Sequence, residues 1–295
     1  MLDLSDSGWG ALCAVGSAIT WAVIGLLVRA LPSFNSVTVN AARSTLGGAL
    51  ILAWLLATGG LSGLTAMSPK AFALLSISVL LAVGLGDTVF FESTRWLGLA
   101  RAMTVSMTYP LIAALLATLF LGEALTVQVA LGSLVTLGGL VLTVAARQDG
   151  GSERGRFWPG IGAATLASCA WAASIIVLKP SLLEVDAVRA QAIRLPVAAA
   201  LLWATPWAWR GTTPLSRHGA AALRRLGALG ALTAVSSIMF VAAVRYAGVA
   251  VATVLSSTAP MFAIPLGLVF LGERLESRAV AGTIVTVIGI AVLRL

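Results

Sequence analysis

Ten apolar stretches, each close to the length of a membrane-spanning helix, follow one another along this chain of 295 residues. A helix needs about 20 residues to cross the hydrocarbon core of a bilayer. The chain is 59% hydrophobic and 10% charged, whereas soluble domains are roughly 45–50% apolar and 25% charged. Such a chain has too few polar residues to cover a globule in water. The sequence therefore predicts an all-α polytopic membrane protein whose ten helices lie at about 8–30, 36–58, 71–94, 100–120, 126–146, 159–179, 187–209, 224–246, 249–270 and 277–294.

The same sequence pattern occurs twice, 150 residues apart. The tetrapeptide FLGE at residues 120–123 recurs at 270–273. Identities at the same offset include Arg95 with Arg245, Gly98 with Gly248, Ser106 with Ser256, Thr108 with Thr258, and Pro110 with Pro260. The pattern predicts a first five-helix repeat over residues 1–147, a polar linker over 148–157 and a second five-helix repeat over 158–295.

The number of helices in each copy decides how the copies are related. A unit of five spans ends on the opposite side of the membrane from its start, so the second copy enters the membrane inverted. Inverted repeats are the architecture that many secondary transporters use for alternating access. The repeat therefore favours a transporter, with a channel and an intramembrane enzyme as the rival functions.

The repeated pattern resembles the EamA branch of the drug/metabolite transporter (DMT) superfamily. The resemblance rests on a proline in each fourth helix, a Gly-Glu ending, a glycine-bearing fifth helix and an arginine early in each second helix. Within that branch the chain most resembles the YddG-type exporters of aromatic and other amino acids. The resemblance implies ten helices around a central cavity and export of amino acids, or of other metabolites or drugs, across the bacterial inner membrane.

Two tryptophans are repeat mates at mid-membrane depth. Trp21 and Trp171 each lie about 20 Å from the start of their helix, at a rise of 1.5 Å per residue. Tryptophan normally prefers the membrane interfaces. The pair is predicted to form an apolar wall against which a substrate side chain packs. Helix packing alone is the alternative.

The prolines of the fourth and ninth helices are predicted to kink them. Pro110 and Pro260 lack the N–H that would bond the carbonyls of Ser106 and Ser256, and freed carbonyls need partners or a wet cavity. Hydroxyl groups surround these positions and are predicted to line the cavity, although they could instead bridge helices. They belong to Ser106, Thr108, Tyr109, Ser256, Ser257 and Thr258.

Charged residues within spans are candidates for function. Arg43 and Arg194 are repeat mates about two turns into their helices, and inversion is expected to place them toward opposite membrane faces, as parts of two gates. Snorkelling to the headgroups is the alternative. Asp87 and Glu92 have no acidic counterpart, since Ser237 and Ala242 occupy the repeated positions.

The roles of these acids differ. Glu92 could be neutralised by Arg95, three residues on along the same helix face. Asp87 has no such neighbour and could either line the cavity, binding an amino group or a proton, or lie at a water-exposed helix end. Glu123 and Glu273 are interpreted as caps of the following helices. The glycines at 132, 139, 282 and 289 predict a closely packed scaffold or a dimer surface.

Other features argue against rival functions. The net charge of +8 comes from arginines at helix ends and in loops, so the expected partners are the bilayer and a small molecule, not nucleic acid. The only histidine, His218, falls in a polar stretch, which disfavours catalysis within the spans. No metal or cofactor is expected. The chain is expected to be a monomer or weak homodimer, and both facilitated export and proton exchange are compatible with it.

Overall fold

The structure is a computed structural model that describes residues 6–31, 34–121, 127–145, 156–209, 219–272 and 277–292. Within these ranges every regular element is helical. A π-helical segment (Leu80–Asp87) joins α4 to α5, and short 3₁₀ helices span Lys179–Leu183 and Pro206–Ala208. The α-helices are α1 (Asp6–Arg29), α2 (Ser36–Ala57), α3 (Ser62–Thr65), α4 (Pro69–Val79), α5 (Thr88–Leu97), α6 (Leu99–Ser106), α7 (Tyr109–Leu121), α8 (Val127–Ala145), α9 (Phe157–Leu178), α10 (Ala187–Ala204), α11 (Ala220–Tyr246), α12 (Gly248–Ser256), α13 (Ala259–Leu271) and α14 (Ser277–Val292).

Seven helical stretches in the described ranges are long and apolar enough to cross a membrane. They are Ser7–Arg29, Ser36–Ala57, Pro69–Leu97, Phe157–Leu183, Ala187–Ala204, Ala220–Tyr246 and Val251–Leu271. A shorter apolar helix covers Ser277–Val292. These helices agree with the all-helical polytopic class predicted from the sequence. The count of ten spans and their inverted arrangement stay predictions.

The second helix of each half begins at a side-chain cap, and this sets the position of its arginine. Asn35 Oδ1 accepts from the backbone N–H of Thr38 at 2.8 Å, and Asp186 Oδ1 accepts from that of Arg189 at 2.9 Å. Asn and Asp are preferred at this position because they satisfy an orphan N–H of the first turn. Arg43 and Arg194 lie eight residues beyond these caps, so both come two turns into their helices.

The two repeated prolines begin new helices instead of kinking continuous ones. Helix α6 ends at Ser106 and α7 starts at Tyr109, while α12 ends at Ser256 and α13 starts at Ala259. Pro110 and Pro260 are therefore second residues of a helix, where the missing N–H has no intrahelical partner to lose. This corrects the predicted kinks.

The hydroxyls at these breaks bond their own helices. Thr108 Oγ1 donates to the Val105 carbonyl and Thr258 Oγ1 to the Leu255 carbonyl, both at 2.7 Å. The carbonyls that end each half-helix thus have side-chain donors, which lets the chain break inside an apolar environment.

Helices α8 and α14 approach each other closely through repeated glycines. A Cβ added at Gly139 would lie 2.3 Å from the backbone nitrogen of Thr286, and one at Gly289 would lie 2.3 Å from that of Thr136. Since 139 and 136 correspond to 289 and 286, the two contacts are reciprocal. This glycine face packs within the chain, as the scaffold alternative predicted.

The remaining long helices enclose the middle of the molecule. Helix α1 packs against α11, α2 against α10, and α9 against α4, the π-helical segment and α5. Residues from these helices and from the break between α6 and α7 face a common interior space. The predicted central cavity occupies this space.

Candidate functional site

The central space is a cavity with a volume of about 140 Å³. A cavity of about 150 Å³ in a folded protein is large enough to hold benzene, so this space is comparable in size to a single aromatic ring. Seven residues predicted from the sequence line it: Trp21, Arg43, Asp87, Tyr109, Trp171, Arg194 and Ser256.

A buried ion pair occupies one side of the cavity. Asp87 Oδ2 accepts from Arg43, and Asp87 Oδ1 accepts from Trp171 Nε1 at 2.8 Å. The Arg43 guanidinium also donates to Asn40 Oδ1 at 2.9 Å and to Thr233 Oγ1 at 3.2 Å. Burying two charges is tolerable only when they are paired and their remaining hydrogen-bonding sites are filled, and this network meets that condition.

The network resolves the two alternatives for Asp87. Its side chain is buried on the cavity wall, with 6% of the residue exposed, and does not lie at a water-exposed helix end. It closes the π-helical segment Leu80–Asp87, a geometry that recurs at functional sites in helical proteins. Its partner is 44 residues away in sequence, so no short-range pattern could have identified the pair.

Aromatic rings lie beside the ion pair and contact it. The rings of Trp21 and Trp171 meet edge to face with centroids 5.7 Å apart, and Tyr109 meets Trp171 edge to face at 6.1 Å. Phe90 and Phe91 stack on Trp21 at 5.6 and 6.0 Å. The Arg43 guanidinium carbon lies 5.0 Å from the Phe91 centroid, close enough for a cation–π contact.

Sequence reasoning missed Asn40, Phe90 and Phe91 as parts of this assembly. Asn40 precedes Arg43 by three residues, so the two share a helix face, and this spacing was an available signal. Phe90 follows Asp87 by three residues in the same way. Phe91 had no comparable signal, because an apolar residue in a membrane helix can face lipid or protein equally.

Arg194 reaches the wall of the same cavity as Arg43. The structure brings both arginines to one space, and their placement toward opposite membrane faces stays a prediction. Arg194 is 5% exposed, and within the described residues it makes neither a hydrogen bond nor an ion pair, although Asp87 attracts it electrostatically.

Four predicted hydroxyl residues do not line the cavity. Thr108 Oγ1 lies 3.2 Å from Ser168 Oγ and joins two helices, which is the bridging role left open as the alternative. Ser257 Oγ donates to the Thr253 carbonyl at 2.7 Å. Thr258 bonds its own helix, and the buried Ser106 Oγ has no partner within the described ranges.

The remaining predicted charges lie away from the cavity. Glu92 accepts from Ser36 Oγ at 2.6 Å, and Arg95 donates to the Phe34 carbonyl. No ion pair between Glu92 and Arg95 is present in the part of the chain that is described. The predicted caps Glu123 and Glu273, and His218, lie outside the described residues.

Comparison with known proteins gives consistent matches. The sequence pattern of the EamA-like transporter family matches residues 8–145 and again residues 158–295. An uncharacterized transporter of Archaeoglobus fulgidus is 27% identical over 285 residues, covering 96% of this chain and 97% of that protein. An uncharacterized protein of Pseudomonas aeruginosa is 32% identical over 146 residues, 50% of this chain and 49% of its own length.

A solved crystal structure has the same fold. It superposes with a TM-score of 0.71 at 21% sequence identity, covering 96% of this chain and 95% of its own. At this level of identity the likeness concerns the fold alone.

Proposed function

The chain belongs to the EamA-like transporter family of the DMT superfamily, and from this premise we propose that it exports amino acids, both aromatic and other neutral ones. Family membership makes it a multi-pass membrane transporter, and transporters are generally not enzymes. The substrate class, the direction of transport and a location in the bacterial inner membrane are parts of the proposal.

The cavity is the observation that carries the substrate class. Its volume of about 140 Å³ suits a small molecule. Its wall combines the rings of Trp21, Tyr109 and Trp171 with the charged groups of Arg43, Asp87 and Arg194. An apolar side chain can pack against rings while a charged head group meets charged residues. Aromatic and other neutral amino acids have both parts within one small molecule.

The proposed mechanism is alternating access between two inverted repeats of five spans each, covering residues 1–147 and 158–295, with 148–157 as the linker. The double match of the family pattern, at 8–145 and 158–295, supports this division. The reciprocal contacts of Gly139 and Gly289 support a two-fold relation between the halves.

The packing of the long helices supports the same relation. Contact of α1 with α11 corresponds, after exchange of the halves, to contact of α9 with the stretch from α4 to α5. Inverted repeats that meet around a midplane site are suited to rocking one bundle against the other. A carrier of this kind opens the cavity to one side at a time.

Transport into proteoliposomes tests the proposal. Purified protein is reconstituted, and uptake of labelled phenylalanine, tryptophan, threonine and methionine is measured with and without a pH gradient. We expect saturable uptake and counterflow driven by unlabelled substrate inside. Uptake that fails to saturate would indicate a channel, and the absence of uptake for every amino acid would refute the substrate class.

A further inference from the structure

Arg194 is a buried cation whose charge is not neutralised by a direct contact. It lines the cavity, is 5% exposed and has no hydrogen-bond or ion-pair partner within the described residues. Its repeat mate Arg43, by contrast, is 2% exposed and is bound by Asp87, Asn40 and Thr233. An unpaired buried charge is costly, so its presence beside a cavity requires an explanation.

The repeat explains why Arg194 has no acidic partner. Asp87, which neutralises Arg43, corresponds to Ser237 in the second half. Ser237 lies next to the turn of α10 that precedes Arg194. Gln191 Nε2, one turn before Arg194, donates to the Ser237 carbonyl at 3.0 Å. Ser237 also lines the cavity. The second half thus keeps the arginine and lacks the carboxylate.

The other groups on the wall favour an anion as the missing partner. The charged residues among the described lining residues are Arg43, Arg194 and Asp87, so the cavity carries a formal charge of +1. Trp21 Nε1 is a buried donor with no acceptor in the described part of the chain. Both oxygens of Asp87 already accept a hydrogen bond, from Arg43 and Trp171, and its charge is offset by Arg43, so the net charge that remains on the wall repels an ammonium group and attracts an anion.

We propose that Arg194 binds the carboxylate of the substrate. This carboxylate is to Arg194 what the side chain of Asp87 is to Arg43, namely its anionic partner. This inference rests on the proposed function and sharpens it, because it makes the carboxylate the required group and the ammonium dispensable. The transporter then accepts small carboxylic acids with an apolar side chain, whether or not they carry an amino group. Amines without a carboxylate are excluded, since a second cation next to Arg194 is repelled.

A matched set of three ligands tests the requirement in the unmodified protein. Binding of L-phenylalanine, 3-phenylpropionate and 2-phenylethylamine to protein in lipid nanodiscs is measured by calorimetry. The set is repeated with leucine, 4-methylpentanoate and 3-methylbutylamine. We expect both carboxylates of a series to bind with affinities of the same order and the amine to bind at least about tenfold more weakly, the scale of a lost hydrogen bond to a charged group.

Variants assign the effect to Arg194. Arg194→Gln is expected to weaken binding of both carboxylates by about tenfold or more. Arg194→Lys keeps the positive charge but lacks the planar guanidinium. Its affinity for the carboxylates is expected to lie between that of the unmodified protein and that of Arg194→Gln. Arg245→Gln is the control, because Arg245 is exposed and donates to the Val185 carbonyl, away from the cavity. It should bind like the unmodified protein.

A further variant, Ser237→Asp, tests whether the ligand replaces a missing side chain. Ser237→Asp supplies an acid at the position equivalent to Asp87, so we expect it to neutralise Arg194 and weaken carboxylate binding as strongly as Arg194→Gln does. The inference would be overturned if Arg194→Gln or Ser237→Asp bound the carboxylates as tightly as the unmodified protein does. An amine that binds as tightly as the carboxylate of its series would also overturn it.

The outcomes separate this inference from the amino-acid proposal. Binding of 3-phenylpropionate that depends on Arg194, without binding of phenylalanine or leucine, would refute the amino-acid class and support the carboxylate site. Binding of phenylalanine that is insensitive to Arg194→Gln would support the amino-acid class and refute the carboxylate site at Arg194. If neither carboxylate of either series binds, both proposals fail.

Discussion

Arg43 and Asp87 form an ion pair inside the membrane-spanning region, with their side chains 2% and 8% exposed. They come from α2 and from the π-helical segment, 44 residues apart in sequence. The pair joins two helices of the cavity wall, and each of its charges is stabilised by the other.

Removing either partner should destabilise the protein. Arg43→Gln leaves Asp87 buried without its cation, and Asp87→Asn leaves Arg43 without its anion, so each is expected to cost about 3–5 kcal/mol. The double variant should cost less than the sum of the two single variants, because it leaves no unpaired charge. Thermal unfolding of the purified variants measures these differences.

Arg194→Gln provides the matched comparison for that prediction. It removes the repeat mate of Arg43 from the same cavity but breaks no ion pair, so the unfolding temperature without ligand should stay the same or rise. A loss of stability as large as that of Arg43→Gln would contradict the different environments of the two arginines.

The two cavity tryptophans should respond differently to loss of the indole N–H. Trp171→Phe removes the 2.8 Å hydrogen bond to Asp87 and is expected to cost about 1.5–3 kcal/mol, as for a bond to a charged group. Trp21→Phe keeps an aromatic ring and removes a donor that has no acceptor in the described structure. It should therefore change the unfolding free energy little. Equal effects of the two variants would argue against the observed hydrogen bonding.

The glycines between α8 and α14 should be required for close packing. Gly139→Ala and Gly289→Ala each place a Cβ 2.3 Å from a backbone nitrogen of the facing helix, so the helices must separate, at a cost of about 1–3 kcal/mol. The two losses should be similar because the contacts are reciprocal. Gly138→Ala, whose Cβ meets nothing within 4 Å, is the control and should leave stability unchanged or slightly raised.

Gly248 should be required for its backbone conformation, not for space. Its φ is +82°, as is that of its repeat mate Gly98, and a Cβ at Gly248 would meet nothing within 4 Å. Gly248→Ala should therefore destabilise by about 1–3 kcal/mol through backbone strain alone. Gly227→Ala tests the opposite case, because Gly227 is in the regular helix α11 with equal space around it. It should stabilise by up to about 1 kcal/mol.

The candidate site was only partly predictable. The repeat and the preference of tryptophan for interfaces identified Trp21 and Trp171, and charge within a span identified Arg43, Arg194 and Asp87. The structure brings all five to one cavity. The hydroxyls of Thr108 and Ser257 were chosen by proximity to a proline, yet they bond helix carbonyls and a neighbouring helix, because a hydroxyl in an apolar environment bonds the nearest acceptor.

The sequence by itself determined the helical membrane class and the presence of two related halves. Both follow from properties that are written locally, namely long apolar stretches and residues that recur at a fixed offset. Only the tertiary structure decided which buried charge is paired. In a membrane helix that is apolar on every side, the pattern does not tell which face meets lipid and which meets protein. Whether a buried guanidinium is paired, as that of Arg43 is, or lacks a partner among the described residues, as that of Arg194 does, therefore depends on how the helices are rotated against one another. Asp87 lies beside Arg43, and Ser237 stands at the equivalent position of the second half.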